Sequence, residues 1–365
     1  MDSVQKDIIT ILKAYLHADY AFDIENDIRE IIDCANKYAI TPVIEYTLAK
    51  ANKCNRDNSS VYLNAMRVEK QNNLRKTIKE VFDKNNIGYV FIKGTTLAKY
   101  YVDEYLRFSS DVDVVVQKDN YLRSRDILVN EYDFVQHTYS DNEMSLTDKY
   151  GTNLDLHCLF TKKDDEIEAL YKDVNYSKHE LDNELKLFHI CNHGAKHINN
   201  GFISLQYLID LYYVDKLDIN REKFNELLNK ANLNKFYVKT RKLVDVLFED
   251  EIADEDTRLY IEFLFNGKQT KGRENFVRIN RAKKNANKLV YILSRLFPDY
   301  KAMSSNYPEL INKKYLLPVY YVKRAIDIIN RKDRLSNAKA EFGYCLNDVD
   351  ENVQKTKKLF ENLGI

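Results

Sequence analysis

Phe91-Ile92-Lys93-Gly94, followed further on by Arg107-Phe108-Ser109-Ser110-Asp111-Val112-Asp113-Val114-Val115-Val116, is the stretch that decides the fold. Side chains alternate along a β-strand, so Asp111 and Asp113 share one side of the valine run, with Cα atoms roughly 6–7 Å apart. Two carboxylates placed this way can share divalent cations. The Lys93-Gly94 turn upstream leaves backbone N–H groups and the start of a short amphipathic helix to face an anion. Phosphate and magnesium can meet there.

Working outward, Tyr89-Val90-Phe91-Ile92 after Gly88 predicts a buried strand. Residues 95–106 predict a helix with Leu97, Tyr100, Tyr101 and Tyr105 on one side. A helix over 121–131 leads to 134–139, which has strand composition. In Gly151-Thr152-Asn153-Leu154-Asp155-Leu156-His157 the apolar residues recur with period two, which puts Asp155 and His157 on one face.

Upstream, Val4, Ile8, Ile11, Leu12 and Tyr15 recur at helical spacing, as do Ile24, Ile28, Ile31, Ile32 and Ala35. Asn58-Ser59-Ser60 predicts the N-cap of a long helix ending near Asn86. Helical patterning returns from Ile167, through 187–197, 205–217, 224–231 and 236–247. The expected fold is α+β, a small mixed β-sheet core embedded in a predominantly helical protein. Its expected regions are helices over 1–86, the sheet core over 87–165, helices packing on the core over 166–250, and a C-terminal helical region over 251–365.

Lys+Arg and Asp+Glu each number 56, so net charge selects neither nucleic acid nor membrane as a partner. Five scattered cysteines without a C-x-x-C pair argue against a disulfide framework or a cysteine zinc site. Charges interrupt the N-terminal apolar residues, and no apolar run approaches a membrane span. A cytoplasmic protein is expected. Residues 249–256 hold six acids, and 268–288 hold eight Lys/Arg against Glu274. This reversal marks a boundary or an exposed connection, and solvated helix faces are its ordinary explanation.

Moving a nucleoside monophosphate from a triphosphate requires that the triphosphate charge be neutralised and the attacking oxygen aligned with the α-phosphorus. Carboxylate-bridged metal ions do this, and a further carboxylate can activate the nucleophile. Asp111 and Asp113 supply the same-face pair. Asp155, on a separate predicted strand with apolar flanks, is the best third member. His157 on the same face can hydrogen-bond a metal-bound group or substrate. Asp-x-Asp alone is weak evidence, because aspartates often begin strands. Lys-Gly between strand and helix, then Arg, then Asp-x-Asp entering an apolar run is far more specific.

These residues resemble the DNA polymerase β-like nucleotidyltransferase superfamily, most closely its branch of bacterial nucleotidyltransferase family proteins (the NTP_transf_5 group). The matching residues are Lys93-Gly94, Arg107, Asp111-Val112-Asp113, Leu154-Asp155-Leu156-His157, His193-x-x-x-His197 and Asp210-Leu211. Leu296-Phe297-Pro298, Tyr307-Pro308 and Leu317-Pro318 with Arg324 look like the group's C-terminal region. The resemblance implies Asp111 and Asp113 as metal ligands, Asp155 as the third catalytic carboxylate on the same metal site, and Gly94 as the glycine that phosphate approaches. Thr95 stands where the wider superfamily has the serine of a Gly-Ser turn. Its hydroxyl and the Lys93 charge remain available to phosphate.

Arg107 has two readings, a fork for the β- or γ-phosphate and an ion pair that orients Asp111 or another acid. His189, His193 and His197 share one helix face, where packing is the ordinary role and contact with substrate or phosphate the functional one. The tyrosine pairs 212–213 and 320–321 read as core.

The expected activity is metal-dependent transfer of a nucleoside monophosphate from an NTP, with Mg²⁺ or Mn²⁺ because the ligands are hard oxygens. The acceptor, whether small molecule, protein or RNA, is not encoded in any motif. Three alternatives stand beside it. One is a nucleotide-binding module without turnover, and another is a phosphohydrolase built on His193, His197 and Asp210. The third is a nucleic-acid-binding protein working through 268–288, a partner class the sequence allows without favouring.

Overall fold

The computed structural model describes residues 1–54, 59–161, 164–266, 273–283, 287–310, 313–347 and 350–365. It divides into two units, one of Met1–Ala195, Ile203–Ile261 and Gly364, the other of Lys196–Phe202, Glu262–Leu363 and Ile365.

The first unit opens with α1 (Ser3–His17), α2 (Ile28–Lys37), α3 (Thr41–Lys50) and α4 (Ser59–Lys84). Asp2 caps α1 in a reciprocal box with Gln5, and Asp27 caps α2. The expected cap of α4 at Asn58 lies outside the described residues. Then come β1 (Tyr89–Ile92), the single turn α5 (Gly94–Leu97), β2 (Asp111–Val116), α6 (Tyr121–Glu131), β3 (Val135–Tyr139), β4 (Glu143–Thr147) and β5 (Asn153–His157).

The sheet is mixed, in the order β1-β2-β5-β4-β3. β2 and β5 run parallel, and the other neighbours are antiparallel. Val112, Val114 and Val116 pack with Leu154, Leu156, Met144 and Leu146 beneath Leu74, Ile78, Val81 and Phe82 of α4 and Ile127 and Leu128 of α6. Each valine is fully buried and contributes about 1.5–2 kcal/mol. Period two then turns Asp111, Asp113, Asp155 and His157 to the opposite face. β4 is the strand the sequence pattern did not reveal.

The continuous helix expected over 95–106 is not formed. After α5 come 3₁₀ turns over Ala98–Tyr100 and Glu104–Leu106. Between them Tyr101 is extended, and the Asp103 side chain caps the second turn by accepting from the Tyr105 N–H. Tyr101 is buried, with its hydroxyl on Asp210, and that tertiary contact prevails over helical propensity.

The first unit continues through α7 (Asp165–Glu168), α8 (Asn183–Asn199), α9 (Leu205–Asp215), α10 (Arg221–Lys230), α11 (Asn234–Phe248) and α12 (Glu255–Asn266), with the last residues of α8 and of α12 counted in the second unit. A Cβ on Gly194 would fall 2.2 Å from the Tyr207 hydroxyl, so α8 offers bare backbone to the ring on α9. At the end of α9, buried Asp215 accepts from Arg221 (2.6 Å), Tyr237 (2.6 Å) and Arg241 (2.7 Å).

Burial alone would raise the Asp215 carboxyl, but Tyr237, Arg221 and Arg241 outweigh it and hold it below its ordinary range. A depressed folded-state pKa gives stability that is complete above the unfolded value and is lost as pH falls through the folded one. Asp215→Asn is therefore expected to cost about 2–3 kcal/mol at pH 7. The gap to wild type should begin to narrow below about pH 4 and close only once the pH falls beneath the depressed folded-state value. Urea unfolding at both pH values checks this, and a pH-independent gap would show that the charge is immaterial.

The acidic run of 249–256 is paired within this unit: His17 and Lys216 meet Glu249, Lys13 meets Asp250, Lys242 meets Glu251 and Lys239 meets Asp256.

The second unit contains α13 (Arg273–Lys283), α14 (Lys288–Leu296), α15 (Tyr300–Asn306), α16 (Leu317–Asn330), α17 (Lys332–Asn347) and α18 (Asp350–Leu363). Val277, Tyr291 and Cys345 form its apolar centre. Within the basic run, Lys268, Lys271 and Lys284 lie outside the described residues. Arg281 is buried against Asp350, Lys283 reaches Asn199 and Lys288 reaches the Leu346 carbonyl. Those three cations are spent on internal contacts, which weakens the case for a backbone-tracking surface.

The five cysteines are free thiols. Among the described residues, no helix is long and apolar enough to cross a membrane.

Candidate active site

Strand register assembles the site. Parallel pairing sets Asp113 beside Asp155 and Asp111 beside Asn153, and antiparallel pairing sets Ser145 beside Asp155 and Glu143 beside His157. Directly opposed side chains on one face are about 4.5–5.5 Å apart. Donor atoms of Asp113, Asp155 and His157 all lie within 4.8 Å of one another, among the described residues. Asp111, at the first position of β2, is not part of that converging set and is only half-buried.

Asp113 is the buried centre. Its Oδ1 accepts from Lys93 Nζ at 2.6 Å and pairs with His157 Nε2 at 2.9 Å. His157 Nδ1 lies 3.2 Å from Glu143 Oε2. Burial alone would raise the Asp113 carboxyl, but Lys93 and His157 hold it well below the usual carboxylate range. Asp155 is raised by burial and then by Asp113, and Asp111 is raised by burial, Asp113 and Asp155. Burial would lower the His157 imidazole, yet its bonds to Asp113 and Glu143 raise it. One carboxylate is thus fixed as an anion, and its neighbours are more basic than ordinary aspartates.

Lys93 is held at φ +55° and ψ −129°, a conformation that favours glycine and is sparsely used by other residues. That kink aims its ammonium back onto Asp113. Gly94 follows, where a Cβ would fall 2.2 Å from Ser109 Oγ and 3.3 Å from Arg107 Nη1. Only glycine lets the turn approach this closely. Gln71, Asn72, Gly94, Thr95, Arg107 and Ser109 line one pocket. The Thr95 hydroxyl is buried there with no hydrogen-bond partner among the described residues. α5 is a single turn, so its attraction for an anion rests on local N–H groups rather than a macrodipole.

Arg107 is buried and forked onto Asp210, with Nε to Oδ1 at 2.8 Å and Nη2 to Oδ2 at 2.7 Å. The Tyr101 hydroxyl completes Asp210 at 2.9 Å. Of the two readings of Arg107, the geometry places it in an ion pair with Asp210, leaving the Nη1 edge beside Gly94. His193 stacks on His189 at 6.3 Å, and His189 faces the Tyr171 hydroxyl at 3.1 Å. His197, in the second unit, packs edge-on to Phe202. Neither His193 nor His197 belongs to the converging donor set.

Sequence reading missed several positioning residues. Asn64 donates to the carbonyls of Tyr105 and Arg107, Gln71 to Ser109, and Gln206 grips Phe108 through both its N–H and its carbonyl. These amides satisfy the backbone of the segment that delivers Asp111 and Asp113. Asn64 and Gln71 carry no signal of their own in the sequence, where polar residues of a long helix ordinarily face solvent. Glu143 and Ser145 alternate with the apolar Met144 and Leu146, and that alternation was the available signal.

A protein family described as uncharacterised nucleotidyltransferase matches residues 25–249, well over half of the chain. That span includes every residue of the carboxylate site and ends before the C-terminal Leu-Phe-Pro motif at 296–298. No curated protein and no solved structure matches the chain.

Proposed function

The chain belongs to the uncharacterised nucleotidyltransferase family, and from that premise we propose that it moves a nucleoside monophosphate from an NTP to an acceptor, releasing pyrophosphate. The observation that carries this reading is the convergence of Asp113, Asp155 and His157 across two parallel strands beside a glycine turn. The adjacent carboxylates of Asp113 and Asp155 suit a divalent cation, Mg²⁺ or Mn²⁺, with Asp111 as a further oxygen donor and His157 hydrogen-bonded to Asp113 beside them. Such an ion, when bound, neutralises phosphate charge and orients the α-phosphorus.

The chain's own residues have distinct tasks in this scheme. Asp113 stays ionised because Lys93 and His157 compensate its charge. Glu143 orients the His157 ring through its other nitrogen. Gly94 lets phosphate oxygens approach the backbone, and the unpartnered Thr95 hydroxyl is placed to donate to one of them. Asp155, the more basic carboxylate, accepts the proton of an acceptor hydroxyl as its oxygen bonds to the α-phosphorus. The bond from that phosphorus to the bridging oxygen breaks, and pyrophosphate leaves with the electron pair. Lys93 adds positive charge beside the departing phosphates, and Arg107 contributes by fixing the Gly94 turn.

The test is incubation of the protein with each α-labelled NTP, Mg²⁺ or Mn²⁺ and a cell extract. Label transfer with stoichiometric pyrophosphate is expected from the wild type and not from an Asp111→Ala/Asp113→Ala variant. Nuclease, protease and filtration then assign the acceptor class. Equal labelling by both proteins would refute the site.

A further inference from the structure

A second cluster of charge lies beyond the outer edge of β1, on the side away from β2. The backbone of 176–180 runs along that edge, where the Phe91 N–H donates to the His179 carbonyl at 3.0 Å. Glu180 follows at once and gathers two lysines, with Lys99 Nζ at 2.5 Å and Lys186 Nζ at 3.6 Å. Lys186 is buried at 7 % exposure, and its ammonium donates to the Tyr100 hydroxyl at 2.7 Å. Both ammonium groups sit over the Tyr100 ring.

Arg75 of α4 completes the cluster. Its guanidinium lies 4.9 Å above the Phe91 ring, within electrostatic reach of Glu180 and Glu104. It makes no hydrogen bond and no ion pair among the described residues, and its Nε is buried. Burial lowers its pKa, an effect that Glu180 and Glu104 offset only in part. Arg75 is half-buried, so its outer Nη donors remain open to a ligand while its Nε is closed off without a partner among the described residues. The unfilled donors belong to the residue best shaped to grip two oxygens at once.

We propose that Arg75, Lys99 and Lys186 form a binding site for a phosphate group, with Glu180 as the resident carboxylate that a ligand must share or displace. A tetrahedral phosphate carries about −1.5 to −2 charges and three acceptor oxygens, enough for the Arg75 fork and both ammonium groups together. A carboxylate ligand would merely repeat what Glu180 already provides. The proposal does not rest on nucleotidyl transfer, since it uses none of Asp111, Asp113 and Asp155 and needs no metal.

Equilibrium dialysis of the full chain against labelled orthophosphate, without divalent cations, tests it. Wild type should bind one phosphate saturably, Arg75→Gln should bind at least about tenfold more weakly, and Glu180→Gln should bind several-fold more tightly. Glu180→Gln is the decisive variant, because a cluster built only for structure loses an anchor there and gains no ligand. Competition by glycerol 3-phosphate would assign the site to phosphomonoesters, and its failure to compete would assign it to free phosphate. Absence of saturable binding by wild type would overturn the proposal, as would undiminished binding by folded Arg75→Gln or weaker binding by Glu180→Gln.

Discussion

Asp155→Asn is expected to reduce label transfer by on the order of 10²–10⁴-fold, the usual contribution of a positioned proton acceptor, while leaving the fold at least as stable as wild type. The two halves of this result have one cause. In the parallel register Asp155 stands directly beside Asp113, the first half-buried and the second buried. Like charges directly opposed on a sheet face repel. Asparagine keeps the shape and the capacity to accept from Ser145, and it removes the repulsion. Measured without divalent cation, the thermal midpoint of Asp155→Asn should therefore equal or exceed that of wild type. Pyrophosphate release should meanwhile fall towards the level that wild type shows with chelator. A variant that is both inactive and unfolded would assign Asp155 to structure, and one that turns over normally would remove it from the chemistry.

The largest effect on stability is expected from Asp210→Ala, at about 3–5 kcal/mol, because the substitution strands the buried Arg107 guanidinium without its carboxylate. Arg107 gives Asp210 two charge-assisted bonds and Tyr101 gives a third, all in a site closed to water. Replacing both ends of the pair, Arg107→Met with Asp210→Leu, should cost much less than the two single changes added together, since no charge is then left unmatched. Urea unfolding of the four proteins gives the coupling directly. A loss below about 1 kcal/mol in Asp210→Ala would mean that Arg107 finds another acceptor. The pair also fixes function at a distance, because Arg107 Nη1 lies beside Gly94 and the Phe108 carbonyl. Loosening it should misplace the turn that phosphate would approach.

Much of the site was legible because it is made of short-range pattern. The apolar runs bounded β1 and β2 at the residues where the strands occur, and alternation placed Asp111 with Asp113 and Asp155 with His157. β4 was hard to read, since the alternation in Glu143-Met144-Ser145-Leu146-Thr147 rests on only two apolar residues, too short a pattern to bound a strand until its neighbour β5 is known. The break at Tyr101 was equally hidden. Tyrosines at helical spacing promised a continuous helix, and the contact that prevails over it comes from Asp210, more than a hundred residues away in the chain.

The sequence by itself determined the fold class, the strands that carry the carboxylates and the face to which they turn, because alternation and burial are properties of neighbouring residues. Tertiary structure alone decided the partners: Lys93 and His157 on one oxygen of Asp113, Glu143 behind His157, Arg107 on Asp210, and Arg75 near Glu180 with no acceptor for its Nε among the described residues. A charged side chain draws its pKa and its role from whichever group the fold brings within a few ångströms, and that distance is set by strand register and helix packing rather than by spacing along the chain.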